Sequence, residues 1–143
     1  MAITTAMCSS FKQELLGGVH DLDTDSLKIA LIKASPSSSY GAATTNYSDL
    51  GSDQASGTNY SAGGQALGSA VITLSGSTAL VDFADEVFSN LTISADGAII
   101  YNSSKSNKAI AVFSFGSTVT STAGDFTVVF PAADASNAVI RIS

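Results

Sequence analysis

Apolar and polar positions change period once along this chain, near residue 20. Ahead of that point Met7, Phe11 and Leu15 recur at i, i+4 and i+8, with Cys8 beside them. That stripe predicts a helix over residues 4–17, capped by Thr4 or Thr5 and ended at Gly17-Gly18. Lys12, Gln13 and Glu14 lie off the stripe. A helix this short is marginal in water by itself, so Met7, Phe11 and Leu15 must dock, either on the chain's own sheet or on another chain.

Beyond residue 20 the period becomes that of strands. Leu27-Lys28-Ile29-Ala30-Leu31-Ile32 reads as the first strand. The second half adds short runs at 70–74, 79–83, 91–94, 98–101, 109–115, 125–130 and 138–142. Ser75-Gly76-Ser77, Ala95-Asp96-Gly97 and Ala123-Gly124 supply turn chemistry between them, and 102–107 is a polar loop. Asp85-Glu86-Val87-Phe88 fits either a short helix or a bend between strands. A parallel sheet needs helical crossovers, and no second strong helix pattern is present. The expected fold is mainly β: one domain over 1–143, an antiparallel β-sandwich, with the jelly roll as one form of it, carrying one N-terminal α-helix.

Between the first strand and the rest lies a long Ser/Gly/Asn/Thr-rich stretch, 34–69, with Tyr40, Tyr47 and Tyr60 spaced through it. Loops of this length are uncommon in compact domains and are often functional. Asn46-Tyr47-Ser48 recurs as Asn59-Tyr60-Ser61, which two short strands joined by turns would equally explain. Exposed tyrosines make rigid amphipathic anchors, so Tyr40, Tyr47 and Tyr60 join Met7, Phe11 and Leu15 as candidate partner-interface residues. The alternative is that each tyrosine covers the edge of its own core.

Composition sharpens this picture. Six Lys/Arg against twelve Asp/Glu give a net charge of −6 and no basic run, which disfavours direct nucleic-acid binding. Apolar runs are far too short for a membrane helix, and residues 1–10 lack the pattern of a secretory signal. Charged residues are only 13% of the chain, while hydrophobic residues are 45%. Disorder is therefore not expected, and the surface should be neutral and hydroxyl-rich. Such a surface packs against neighbours at low desolvation cost, which favours an assembly subunit.

No residue pattern announces catalysis. Asp21, Asp23 and Asp25 alternate like the start of a calcium loop, but Ser26 replaces the required glycine and Ile32 the bidentate carboxylate. A solvated acidic turn is the simpler reading, and no metal or other cofactor is expected. Asp82, Asp85 and Glu86 lack the aromatic density of a sugar cleft. Cys8 and His20 could be cast as nucleophile and base, but Cys8 sits by the apolar stripe and His20 just past the helix end. A Lys–Asn or Lys–Asp isopeptide crosslink would fall to Lys28 or Lys33, with no visible partner. The expectation is no enzyme and no catalytic residue.

The series from Met1-Ala2-Ile3-Thr4-Thr5-Ala6-Met7 to Leu15-Leu16-Gly17-Gly18, then 27–34, Gly57-Thr58-Asn59-Tyr60-Ser61-Ala62-Gly63-Gly64, Val81-Asp82-Phe83, Ile99-Ile100-Tyr101-Asn102 and Phe130-Pro131, resembles small β-rich virion structural proteins of tailed bacteriophages. That resemblance implies a capsid decoration (cement) protein, made in the host cytoplasm and placed on the outer capsid surface. There it would bridge major capsid protein subunits, and it would self-associate as a homotrimer or homodimer. Tail-tube, neck or fibre-type virion proteins are the alternative. A carbohydrate-binding or adhesin module is a further one, against which the absence of tryptophan counts.

Overall fold

The computed structural model describes residues 2–68 and 70–143. It is mainly β, with two antiparallel sheets and an N-terminal helix, as the strand-rich second half implies. The first strand is β1 (Ala6–Met7), followed by the helix α1 (Ser9–Leu16) and β2 (Leu27–Lys33). Then come β3 (Gln65–Ala66), β4 (Val71–Ser75), β5 (Thr78–Asp82), β6 (Glu86–Asn102), β7 (Lys108–Val128) and β8 (Ile140–Ile142). The first sheet has the order β1-β7-β6-β2-β3 and the second β4-β5-β8.

The helix begins at Ser9, not at residue 4. Ala6 and Met7 pair instead with Val112 and Ala111 on β7. The hydroxyl of Thr5 accepts from the Ser114 N–H at 2.9 Å, and the Thr4 N–H donates to the Tyr40 carbonyl at 2.8 Å. Thr4 and Thr5 are therefore tied to sheet and loop, and cap nothing. Strand pairing over several long-range hydrogen bonds outweighs the weak propensity of one extra helical turn. Cys8 takes the N-cap position in extended conformation, without a side-chain cap. Of the predicted stripe, Phe11 is fully buried, Leu15 is partly buried on the same helix, and Met7 lies on β1.

The runs expected as four separate strands form one long hairpin, β6 with β7. Ala95-Asp96-Gly97 is no turn: β6 runs straight through it, and the register shift there sets Asp96 alone opposite Phe115, Gly116, Ser117 and Thr118, so the extra residues bulge from β7. A Cβ on Gly97 would stand 2.3 Å from the Phe113 carbonyl oxygen, so the close cross-strand approach there requires glycine. Ala123-Gly124 likewise stays within β7. Glu86 starts β6, which settles 85–88 as a bend into a strand. The polar loop at 102–107 is the hairpin's turn, with Ser106 and Asn107 both at positive φ. Gly76, φ +61, turns β4 into β5 as expected.

On β2, Ile29, Ala30, Leu31 and Ile32 are buried in succession, so both faces of the first sheet are covered. Phe11, Ile99, Ile100, Ile110 and Val112 join them in one cluster, which Val81, Phe83 and Ile140 reach from the side of the second sheet. The stretch 34–69 is pinned along this core. It contains a kinked 3₁₀ segment, Tyr47–Asp53, the strand β3, and single bridges from Tyr40, Asn46, Gln54 and Thr58. Gly64 marks how closely it runs: at φ +76, a Cβ there would sit 1.8 Å from the Ile29 carbonyl oxygen.

Candidate functional site

Three features stand out from the side chains upward: a buried carboxylate, a histidine network, and an apolar cleft beside a free sheet edge. Asp53, at the end of the 3₁₀ segment, is buried and fully partnered. It accepts from the Ser37 N–H at 3.0 Å, the Ser37 hydroxyl at 2.9 Å, the Ser38 N–H at 3.0 Å and the Tyr40 hydroxyl at 2.8 Å. Lys33 Nζ, from the end of β2, lies 2.9 Å from its Oδ1. The Ser37 backbone bond, with Lys33 and Tyr40, holds this carboxyl well below the ordinary aspartate range against the opposing pull of burial. A carboxylate held this firmly in its charged form is a poor electrophile. Lys33 and Asp53 thus make an ion pair that ties the long stretch to β2, and the pair lacks the neutral acid an isopeptide bond would require.

The tyrosines face inward. Tyr40 is buried, and desolvation with the Asp53 carboxylate pushes its hydroxyl up to about 12. Tyr47 stacks on Tyr101 with ring centroids 4.6 Å apart, and its hydroxyl donates to Gln54. Tyr60 accepts from the Leu31 N–H at 2.8 Å and lies against Phe88. The premise that these rings are exposed anchors is corrected for Tyr40; Tyr47 and Tyr60 are partly buried against the core. Each of the three spends its polar tip on its own chain.

His20, just past the helix, is buried against Phe11 with centroids 5.0 Å apart. Its Nδ1 accepts from the Asn102 side-chain amide at 3.0 Å, which leaves Nε2 to face Glu14 Oε1 at 3.2 Å. Lys108 Nζ is 3.0 Å from Glu14 Oε2. Burial opposes the Glu14 charge, but the hydrogen bonds from Lys108 and His20 outweigh it and lower that pKa. Asn102 also donates to Asp25 at 2.6 Å. Both ring nitrogens are thus engaged, so His20 has none left to take a proton from Cys8. Burial pushes the Cys8 thiol up to about 12, and Asp49 and Glu14 add to the effect. The two residues form no nucleophile–base pair.

Asp21, Asp23 and Asp25 satisfy their own turn: the Asp21 N–H donates to Asp25 Oδ2 at 3.0 Å, and the Asp23 N–H to Asp21 Oδ1 at 3.1 Å. Among the described residues no three His, Cys, Asp or Glu side chains group as metal ligands would.

The remaining feature is apolar. A cleft of about 430 Å³ opens between the end of α1 and the second sheet, lined by Leu15, Leu22, Ile72, Val81, Ile140 and Ile142, with His20 at its polar side. Next to it, every residue of β4 is exposed, including Val71, Ile72 and Leu74, the last at 72%. Leu16, at the end of α1, is 93% exposed. The sequence pattern placed a strand here but gave no sign of its exposure, because an apolar run such as Val-Ile-Thr-Leu reads as core. Asp53 was missed for a different reason: its partners are spread over 33–53 with no spacing motif. Comparison with protein families, characterised proteins and solved structures finds no match to this chain.

Proposed function

We propose that this chain is a non-catalytic structural subunit that works by packing into a larger protein assembly. Following the sequence resemblance, that assembly is the virion of a tailed phage, and the role is a decoration protein clamping major capsid protein on the outer head surface. The observation that carries the assembly reading is the uncharged β4 strand, exposed along its whole length beside an apolar cleft, on a chain whose titratable clusters are spent on internal structure. Exposed apolar patches of this kind mark interaction surfaces in soluble proteins. A net charge of −6 turns the chain away from nucleic acid, and among the described residues no helix is long and apolar enough to cross a membrane.

Quantitative mass spectrometry and imaging of purified particles test this. A head-decoration role gives on the order of hundreds of copies at regular head positions, whereas a neck ring gives about a dozen. Absence of the chain from particles removes the virion reading. Substrate turnover by a solitary monomer removes the assembly reading altogether.

A further inference from the structure

The free edges of the two sheets are not alike. In the first sheet the terminal strands β1 and β3 have two residues each, too short to template another strand, and the edge of β7 that runs on past β1 is broken by bulges opposite Asp96 and Thr92. In the second, β8 has three residues with Arg141 at its centre. Short length and a central charge are the usual defences of an edge. The other edge, β4, has neither. It is five residues long, pairs with β5 without a register shift, and carries no charged side chain.

We propose that β4 pairs with β4 of a second copy of this chain, antiparallel and centred on Thr73, so that two three-stranded sheets become one of six strands. The proposal deepens the assembly reading by naming a partner, and it can fail while that reading stands.

Charge selects the occupant. Two copies at −6 each repel, so they can meet closely only where both are uncharged. From Gln54 to Val81 the sequence holds no charged side chain, and β4 lies inside that stretch. A basic or acidic partner would find no complementary charge on this strand, whereas an identical strand needs none.

The register is self-complementary. Centring on Thr73 sets Ile72 opposite Leu74 of the second copy, twice, and Val71 opposite Ser75. Ile72 and Leu74 share one face of the strand, so four aliphatic side chains meet there. That face is continuous with the cleft, because Ile72 pairs with Val81, which pairs with Ile140. A twofold contact of this kind closes on itself and yields a dimer, not a fibre.

The strand buries little. The exposed parts of Val71, Ile72 and Leu74 amount to on the order of 300 Å² per copy, or about 600 Å² for the pair, against the ~1,200 Å² or more that a typical stable complex buries over both partners. The isolated pair should therefore dissociate at roughly tens to hundreds of micromolar and firm up only where further contacts hold both copies in place.

Sedimentation of the full chain from about 10 µM to about 1 mM measures the pair, and three variants locate it. Thr73→Cys places two sulfurs on the twofold axis, where opposed strand residues lie within disulfide reach of about 4.5–5.5 Å between Cα atoms. Ser75→Cys is the control, since its own copy falls four registers away, roughly 13 Å. The native Cys8 is fully buried and does not compete. Leu74→Lys puts like charges into the seam while substituting a side chain already turned to water. The expected result is a concentration-dependent dimer, disulfide formation in Thr73→Cys at least about tenfold faster than in Ser75→Cys, and an affinity lowered about tenfold or more by Leu74→Lys. Circular dichroism confirms that each variant keeps its fold. A chain that stays monomeric at the highest concentration, with both cysteine variants crosslinking equally slowly, overturns the proposal. So does a dimer that Leu74→Lys leaves intact. Particles that carry the chain in the absence of any Thr73→Cys crosslink would retain the assembly reading and discard this pairing.

Discussion

In the five-stranded sheet, β2 buries Ile29, Ala30, Leu31 and Ile32 one after another, while in the three-stranded sheet β4 exposes every residue from Val71 to Ser75. Both strands are short, aliphatic and rich in β-branched or leucine side chains. Intrinsic propensity therefore does not distinguish them; what lies above and below does. The first sheet is wrapped by α1 on one part and by the pinned 34–69 stretch on another, each held by specific polar anchors. The second sheet reaches the core through Val81, Phe83 and Ile140 and then extends beyond it. A covered sheet stabilises the monomer, and an uncovered one is available to a neighbour.

The largest effect expected from testing this contrast is at Asp53, which fastens the wrapping over β2. Asp53→Ala leaves the Ser37 and Ser38 N–H groups without their acceptor, the Tyr40 hydroxyl with only the longer contacts to the Asp49 and Leu50 carbonyls, and Lys33 without its counter-ion. Loss of one member of a buried pair costs about 3–5 kcal/mol, and the lower end applies because Lys33 can turn toward water. Urea unfolding should show about 3 kcal/mol. The pH dependence follows from the same carboxylate. Its folded pKa is depressed, so its contribution is present above the unfolded aspartate value near 4 and is lost as pH falls below it. The wild type should lose stability on acidification below about pH 4, and Asp53→Asn should flatten that limb. An unchanged acid limb in Asp53→Asn would show that the wrapping is fastened elsewhere.

A second test compares equivalent truncations in the two sheets. Ile100→Ala, at a fully buried position on β6, should cost about 3 kcal/mol through lost burial and the cavity left behind. Ile72→Ala, half exposed on β4, should cost well under half of that. Similar losses at both sites would mean that the second sheet is as tightly built as the first.

The sequence made much of this legible and left specific parts hidden. The strand-rich second half, the antiparallel arrangement and the N-terminal helix follow from alternation and turn residues, whereas the strand count does not, because four of the runs join into the two long strands β6 and β7. The helix start was misplaced because β1 pairs with β7, about a hundred residues away, and no local pattern encodes that partner. Ala95-Asp96-Gly97 and Ala123-Gly124 look like turns because small and acidic residues serve turns and irregular strand pairings alike; the first faces a bulge on β7 and the second lies beside one. Tyr40 looked like an exposed anchor because its acceptor, Asp53, is identified only by the fold. The apolar cleft is composed of α1, β4, β5 and β8 together, so no single stretch of sequence announces it.

The smallest effect on the monomer, and the one that separates the two sheets most cleanly, belongs to Leu74→Thr. Leu74 is mostly in water, so little burial is lost on truncation, and threonine supplies the β-branched side chain a strand favours. At about 10 µM, below the range in which the pair forms, unfolding free energy should change by no more than about 0.5 kcal/mol. At about 1 mM the comparison shifts. A second copy that binds only the folded chain stabilises it by mass action, so the wild type should gain stability with concentration. Leu74→Thr should gain less, because the Ile72–Leu74 contacts across the seam are removed while the fold is left alone. Differential scanning calorimetry at the two concentrations reads the divergence as a melting-temperature difference that opens only in the concentrated samples. A loss of about 2 kcal/mol or more in the dilute sample would place Leu74 inside a packed surface of its own chain, and the contrast between a wrapped sheet and an open one would disappear.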